Sequence, residues 1–149
     1  RLSPVASFKC KVLQVKTLKP GDGTIGYGRR GKIAPEGTVI ATIPVGYADG
    51  IDRHLSCGKG YFTINGHRVP TIGSICMDMC MLDVTGVDVQ VGDTVTIFSE
   101  EGGMDYRQGA SISNFNRNGL QAATPRRVPK LYFENGELVA ARDYMFDLD

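Results

Sequence analysis

Along residues 5–15, Val5, Ser7, Lys9, Lys11, Leu13 and Val15 alternate loosely with Phe8, Cys10, Val12 and Gln14. The run is rich in β-branched side chains and lacks a helix cap, which predicts a strand. A turn at Pro35-Glu36-Gly37 leads into residues 38–45, a largely apolar β-branched run that reads as a strand buried on both faces. Residues 61–64 and 67–69 flank Asn65-Gly66, whose two positions suit the positive φ angles of a type I′ hairpin turn. A second apolar run covers residues 72–84 and is interrupted by Gly73; residues 94–98 form another strand after Gly92-Asp93. Residues 100–118 are polar, with a short helix placed at 110–115. Residues 128–134 and 138–141 close the chain as a second hairpin across Asn135-Gly136.

About eight short strands separated by turns, with little helix, predict an all-β barrel or sandwich. The chain has 149 residues, which fits one domain, residues 1–149, and leaves no room for a full-sized cofactor barrel. With 42% hydrophobic and 22% charged residues it has the composition of an ordinary packed protein, not of a disordered one. Seventeen basic side chains against 16 acidic ones give a net charge of +1, too small a field to gather nucleic acid or an anionic membrane. No run approaches the roughly 20 apolar residues of a membrane span, and Arg1-Leu2-Ser3-Pro4 lacks the apolar core of a signal peptide. The expectation is a cytoplasmic protein, read as a domain cut from a longer chain because it opens on arginine and enters a strand-like run almost at once.

Four cysteines, Cys10, Cys57, Cys76 and Cys80, read as reduced thiols packed as small hydrophobes. The Cys76-Met77-Asp78-Met79-Cys80 spacing is neither a redox pair nor a zinc knuckle, so no metal site is assigned. Within that run Asp78 stands among apolar residues. A buried carboxylate there requires a partner, with Arg53, Arg68 and a basic ligand as candidates and backbone amides as the purely structural alternative. Tyr27 in Gly-Tyr-Gly and Tyr47 in Gly-Tyr-Ala-Asp-Gly each follow a strand-like segment. Glycine neighbours let the chain turn tightly and leave a phenol protruding into a cleft, although half-buried hydrogen-bonding tyrosines are the commoner case. Arg29 and Arg30 follow Tyr27; cations directed at a phenol stabilise its anion and let it accept a proton near neutral pH.

Read together, Gly26-Tyr27-Gly28, the run from Ile43-Pro44-Val45 through Gly46-Tyr47-Ala48-Asp49-Gly50, and Gly73-Ser74-Ile75-Cys76-Met77-Asp78 resemble the C-terminal domain of alanine racemases. Val69-Pro70, Asp83-Val84-Thr85 and Gly92-Asp93-Thr94-Val95 fit the same pattern, which covers roughly residues 8–98 and returns at Pro125-Arg126-Arg127-Val128-Pro129. The resemblance implies a small barrel-like β domain. In full-length members it accompanies an N-terminal (β/α)₈ barrel whose lysine carries pyridoxal 5′-phosphate, and the subunits pair head to tail as homodimers.

The resemblance makes Tyr27 the proton acceptor on the L-alanine face, facing the cofactor on the partner's barrel. It places Met77 where a backbone amide meets the substrate carboxylate, Asp78 beside it as an ordering residue, and Tyr47 and Arg53 along the substrate entryway. Ser74 stands where many members carry a basic entryway residue, which implies a wider or less charged gate. Arg126 occupies the place of a tyrosine that some members set against the cofactor phosphate. None of Lys9, Lys11, Lys16, Lys19, Lys32, Lys59 or Lys130 lies in the motif around the cofactor lysine, so this chain alone is expected neither to hold the Schiff base nor to racemise alanine. The implied role is supply of D-alanine for cell-wall peptidoglycan. The competing readings are a free-standing binding or dimerisation module and a racemase for serine or lysine.

Overall fold

The computed structural model describes residues 5–113 and 115–145. Seven strands form one sheet: β1 (Phe8–Lys11), β2 (Gln14–Leu18), β3 (Thr38–Ile43), β4 (Tyr61–Ile64), β5 (His67–Ile72), β6 (Cys80–Asp83) and β7 (Thr94–Phe98). Their order across the sheet is β1-β7-β4-β5-β6-β3-β2, and each neighbouring pair is antiparallel. The two edges of this sheet are therefore consecutive in sequence. Between them the Val12 N–H donates to the Asp93 carbonyl at 3.0 Å and the Leu13 N–H to the Thr42 carbonyl at 2.9 Å. One bent segment thus bonds to both sides of the curled sheet, which makes the domain barrel-like and leaves little free edge.

The single strand expected over residues 5–15 is in fact this bent pair. A local alternation cannot register the break at Val12 and Leu13, because closure of the sheet imposes it. The Asn65-Gly66 hairpin forms as read, with φ of 50° and 79° at its two turn positions. A second hairpin, β8 (Lys130–Glu134) with β9 (Glu137–Arg142), turns at Asn135 and Gly136 with φ of 52° and 84° and stands as a separate sheet with exposed strands.

Alternate residues of the strands point into the main core, where Ala41, Ile43, Phe62, Ile64, Leu82, Val95 and Ile97 are fully buried. Two short helices close it, α1 (Tyr106–Ile112) and α2 (Arg117–Ala122), burying Tyr106 and Leu120. The Tyr106 ring stacks on Phe98 with centroids 4.8 Å apart. The helix expected at residues 110–115 is displaced toward the N-terminus, and α2 was not anticipated. Both begin on side-chain caps, Asp105 accepting from the amides of Arg107 and Gln108, and Asn116 from that of Gly119.

A second, smaller core lies on the opposite face of β2, β3, β5 and β6. There Leu18, Ile25 and Ile40 are buried with Ile33, Ile72 and Met81 packed against them. The 19–37 excursion between β2 and β3 folds over that face, which is why β3 is buried on both sides as its sequence indicated.

Candidate functional site

Tyr27 sits at the tip of that excursion. Ile25 and Gly31 bond to each other through both backbone groups, each at 3.0 Å, and pinch the intervening residues into a tight bulb. Inside it Gly26, Gly28 and Arg29 all have positive φ, of 73°, 70° and 54°. Gly26 is doubly required, since a Cβ there would also lie 3.0 Å from the Met81 side chain and 3.2 Å from the Ser74 amide. The result is a phenol 76% exposed on a backbone held from below. The support is Ser74, whose hydroxyl donates to the Tyr27 carbonyl at 2.9 Å. Ser74 is buried, and its hydroxyl is turned to the backbone of the Tyr27 loop. Among the described residues, neither Arg29 nor Arg30 bonds to or stacks on the Tyr27 ring.

The loop between β5 and β6, residues 73–79, lies beside the bulb and is stitched to the 46–50 loop. The Tyr47 amide donates to the Cys76 carbonyl and the Ala48 amide to the Met77 carbonyl, each at 3.0 Å. Gly46 fits only because it has no side chain; a Cβ would overlap the carbonyls of Cys76 and Met77. A trans peptide sets its N–H opposite its C=O. With the Cys76 carbonyl turned to Tyr47, the Met77 N–H faces away from that segment, and Met77 itself is 53% exposed.

Asp78 is exposed and not buried as its apolar surroundings implied, because the loop carries it out of the sheet. Neither Arg53 nor Arg68 is its partner: Arg53 lies 5.6 Å from the Tyr47 ring centroid and Arg68 4.7 Å from that of Tyr61. The partner is Arg127, whose Nη2 reaches the Asp78 Oδ1 at 2.7 Å and the Asp49 Oδ1 at 2.9 Å. Asp49 is the buried carboxylate of this region, and its Oδ2 also accepts the Gly46 amide at 2.9 Å. The hydrogen bond to Asp78, then the two carboxylate charges, raise the Arg127 pKa above its ordinary value and keep it charged.

Asp49 and Arg127 were not read as site residues in the sequence. Asp49 lies in a resemblance motif in which only Tyr47 is given a role, and in the closing motif the role falls to Arg126 and not to Arg127. Arg126 is exposed, with its guanidinium 5.7 Å from the Tyr144 ring centroid; Lys130 is 6.0 Å from the same ring, and Arg142 donates to the Tyr144 hydroxyl at 3.3 Å. That hydrogen bond, with the surrounding cations, lowers the Tyr144 pKa.

Tyr27, Met77, Asp78, Tyr47 and Arg53 are thus carried by loops bonded to one another at one end of the barrel, while Arg126 stands next in sequence to the Arg127 tie. Among the described residues no group of three or more His, Cys, Asp or Glu could hold a metal ion, and no helix is long and apolar enough to cross a membrane.

Residues 5–132 match the family described as alanine racemase, C-terminal domain. The chain belongs to that family. An alanine racemase of Clostridium kluyveri is 41% identical over 151 residues, covering 99% of this chain and 38% of that protein. The alanine racemase of Bacillus anthracis with bound L-Ala-P superposes with a TM-score of 0.84 at 30% identity, over 95% of this chain and 36% of that one. That of Bartonella henselae, with covalently bound pyridoxal phosphate, gives a TM-score of 0.71 at 28% identity, over 79% of this chain and 32% of that one. The alanine racemase C-terminal fold is thereby shown, and the chain spans well under half the length of these relatives.

Proposed function

We propose that residues 1–149 are the C-terminal domain of a pyridoxal 5′-phosphate-dependent alanine racemase that interconverts L- and D-alanine in the cytoplasm for cell-wall peptidoglycan synthesis. The observation that carries this reading is the exposed Tyr27 phenol, presented on a bulb buttressed by Ser74 of the same loop that carries Met77. A scaffold has no use for a phenol so displayed, which favours catalysis over a free-standing binding module.

The residues of this chain suit a shared cofactor site. They offer a proton acceptor, a backbone donor for a carboxylate and, at Arg126, an exposed guanidinium within a cluster of cations, the chemistry that holds a phosphate. They do not offer the cofactor's lysine. That group and most of the cofactor contacts belong to the N-terminal barrel, contributed in the parent by the second subunit of a homodimer. When bound, the cofactor supplies delocalisation of the electron pair left on Cα after the proton departs.

This chain's own part is to place the Tyr27 Oη on the L face of Cα, where it takes the proton from L-alanine and returns one in the reverse direction. The Met77 N–H holds the substrate carboxylate, and Asp78 orders the loop that carries it. Tyr47 and Arg53, already stacked on each other, line the entryway and favour a small side chain over serine or lysine.

In the complete parent, Tyr27→Phe is expected to abolish solvent deuterium exchange at Cα of L-alanine while sparing much of the exchange from D-alanine. Equal residual exchange from both enantiomers would overturn the assignment of Tyr27.

A further inference from the structure

We infer that Arg127 is a positioning residue for the substrate carboxylate: it ties the loop bearing the Met77 amide to Asp49 and neutralises the Asp78 charge beside that amide. The inference rests on the reading of the Met77 amide as the carboxylate's donor.

The tie joins three stretches of chain that are remote in sequence. Arg127 is delivered from below, since the backbone at Ala123 and Thr124 packs on Gly50 so closely that a Cβ there would lie 3.0 Å away. A single nitrogen of its guanidinium then bridges two carboxylates, the buried Asp49 and the exposed Asp78. Through its second oxygen Asp49 holds the Gly46 amide, and Gly46 seats against the carbonyls of Cys76 and Met77. The position of the Met77 peptide is therefore set from both sides, by the 46–50 loop and by the bond from Arg127 to Asp78.

Charge supplies the second half of the argument. Asp78 directly follows Met77, whose amide faces away from the 46–50 loop, and the Asp78 side chain is exposed. An uncompensated carboxylate there repels an incoming carboxylate, and it also repels Asp49. Arg127 cancels both repulsions with one cation. Because it acts on the carboxylate common to both enantiomers and not on Cα, its loss must weaken binding of L- and D-alanine alike and leave proton transfer largely intact.

The test uses the complete parent racemase. Arg127→Gln is expected to raise KM for L- and D-alanine together by about tenfold or more while kcat changes by less than about threefold. Arg127→Lys, which keeps the charge, and Arg127→Gln combined with Asp78→Asn, which removes the exposed repulsion, are each expected to recover much of that loss. Should Arg127→Gln not fold because Asp49 is left buried without its cation, the Asp49→Asn and Arg127→Gln double variant removes that burden, and it must show the same raised KM. An unchanged KM in folded variants, a fall in kcat alone, or no recovery on adding Asp78→Asn overturns the inference. A wild-type parent that does not racemise alanine removes the functional reading and this inference with it, whereas a racemising parent with an unaltered variant KM removes the inference alone.

Discussion

The Ser74 hydroxyl donates a 2.9 Å hydrogen bond to the backbone carbonyl of Tyr27, so the residue that presents the phenol is held by a buried side chain of the neighbouring loop. The bond fixes the backbone and leaves the ring free to be used. Ser74→Ala in the parent removes a single hydrogen bond, a change of about 1 kcal/mol in stability. Its larger expected effect is a roughly 3- to 10-fold fall in proton exchange from L-alanine, following a displaced base, with KM nearly unchanged. Isotope exchange alongside a thermal melt checks this; a fall in stability with full exchange activity contradicts it.

Gly46 is extended, with φ of −147°, so backbone strain is no obstacle to a side chain there. The obstacle is the pair of carbonyls, at Cys76 and Met77, that its Cβ would enter. Gly46→Ala is expected to destabilise the domain by about 1–3 kcal/mol, as overpacking does, and to raise KM because the Met77 amide moves. A urea denaturation series with steady-state kinetics reads both. An unchanged midpoint and KM would show that the two loops separate without cost.

Burial pushes the Cys10 thiol up to about 12, with the Asp49 charge adding, and burial raises Cys80 further still, helped by Cys10 and Cys76. Both keep their protons in the folded domain well past 9.0, where an ordinary thiol ionises. The folded state then binds more protons than the unfolded one, so stability is intact below pH about 9 and falls as pH rises above it, by at most about 1.4 kcal/mol per pH unit for each thiol. Denaturation between pH 8 and 11 should show that decline, and Cys10→Ala with Cys80→Ala should flatten it. A flat profile in the unsubstituted domain would contradict the burial of these thiols.

What was legible in the sequence is what local chemistry dictates. Asn65-Gly66 and Asn135-Gly136 announce their hairpins because two adjacent residues tolerate the φ angles that the turn needs. The break at Val12 and Leu13 has no local cause, and follows from partners at Thr42 and Asp93. α2 is short, and its one signal, Asn116, lies in a polar stretch where capping residues and loop residues are the same types. Among the candidate site residues, Tyr27 stood out through its flanking glycines, whereas Met77 was reached only through the family resemblance of its run. Asp49 and Arg127 did not stand out, because what makes them matter is a contact between distant stretches; Arg127 lies 49 residues from Asp78. The carboxylate suspected of burial was Asp78, yet the buried one is Asp49, since a loop inside an apolar run can turn its polar residue outward.

The two hydrophobic clusters divide the labour of the fold in a way that bears on its evolution. The inner one closes the barrel, and drift there is paid in folding. The outer one, built around Leu18, Ile25 and Ile40, mainly fastens the excursion that carries Tyr27. Small changes of volume at Ile25, Ile33 or Met81 are therefore expected to shift the excursion while the barrel keeps its core, so that natural variation can adjust how the phenol is presented largely apart from the barrel's own stability.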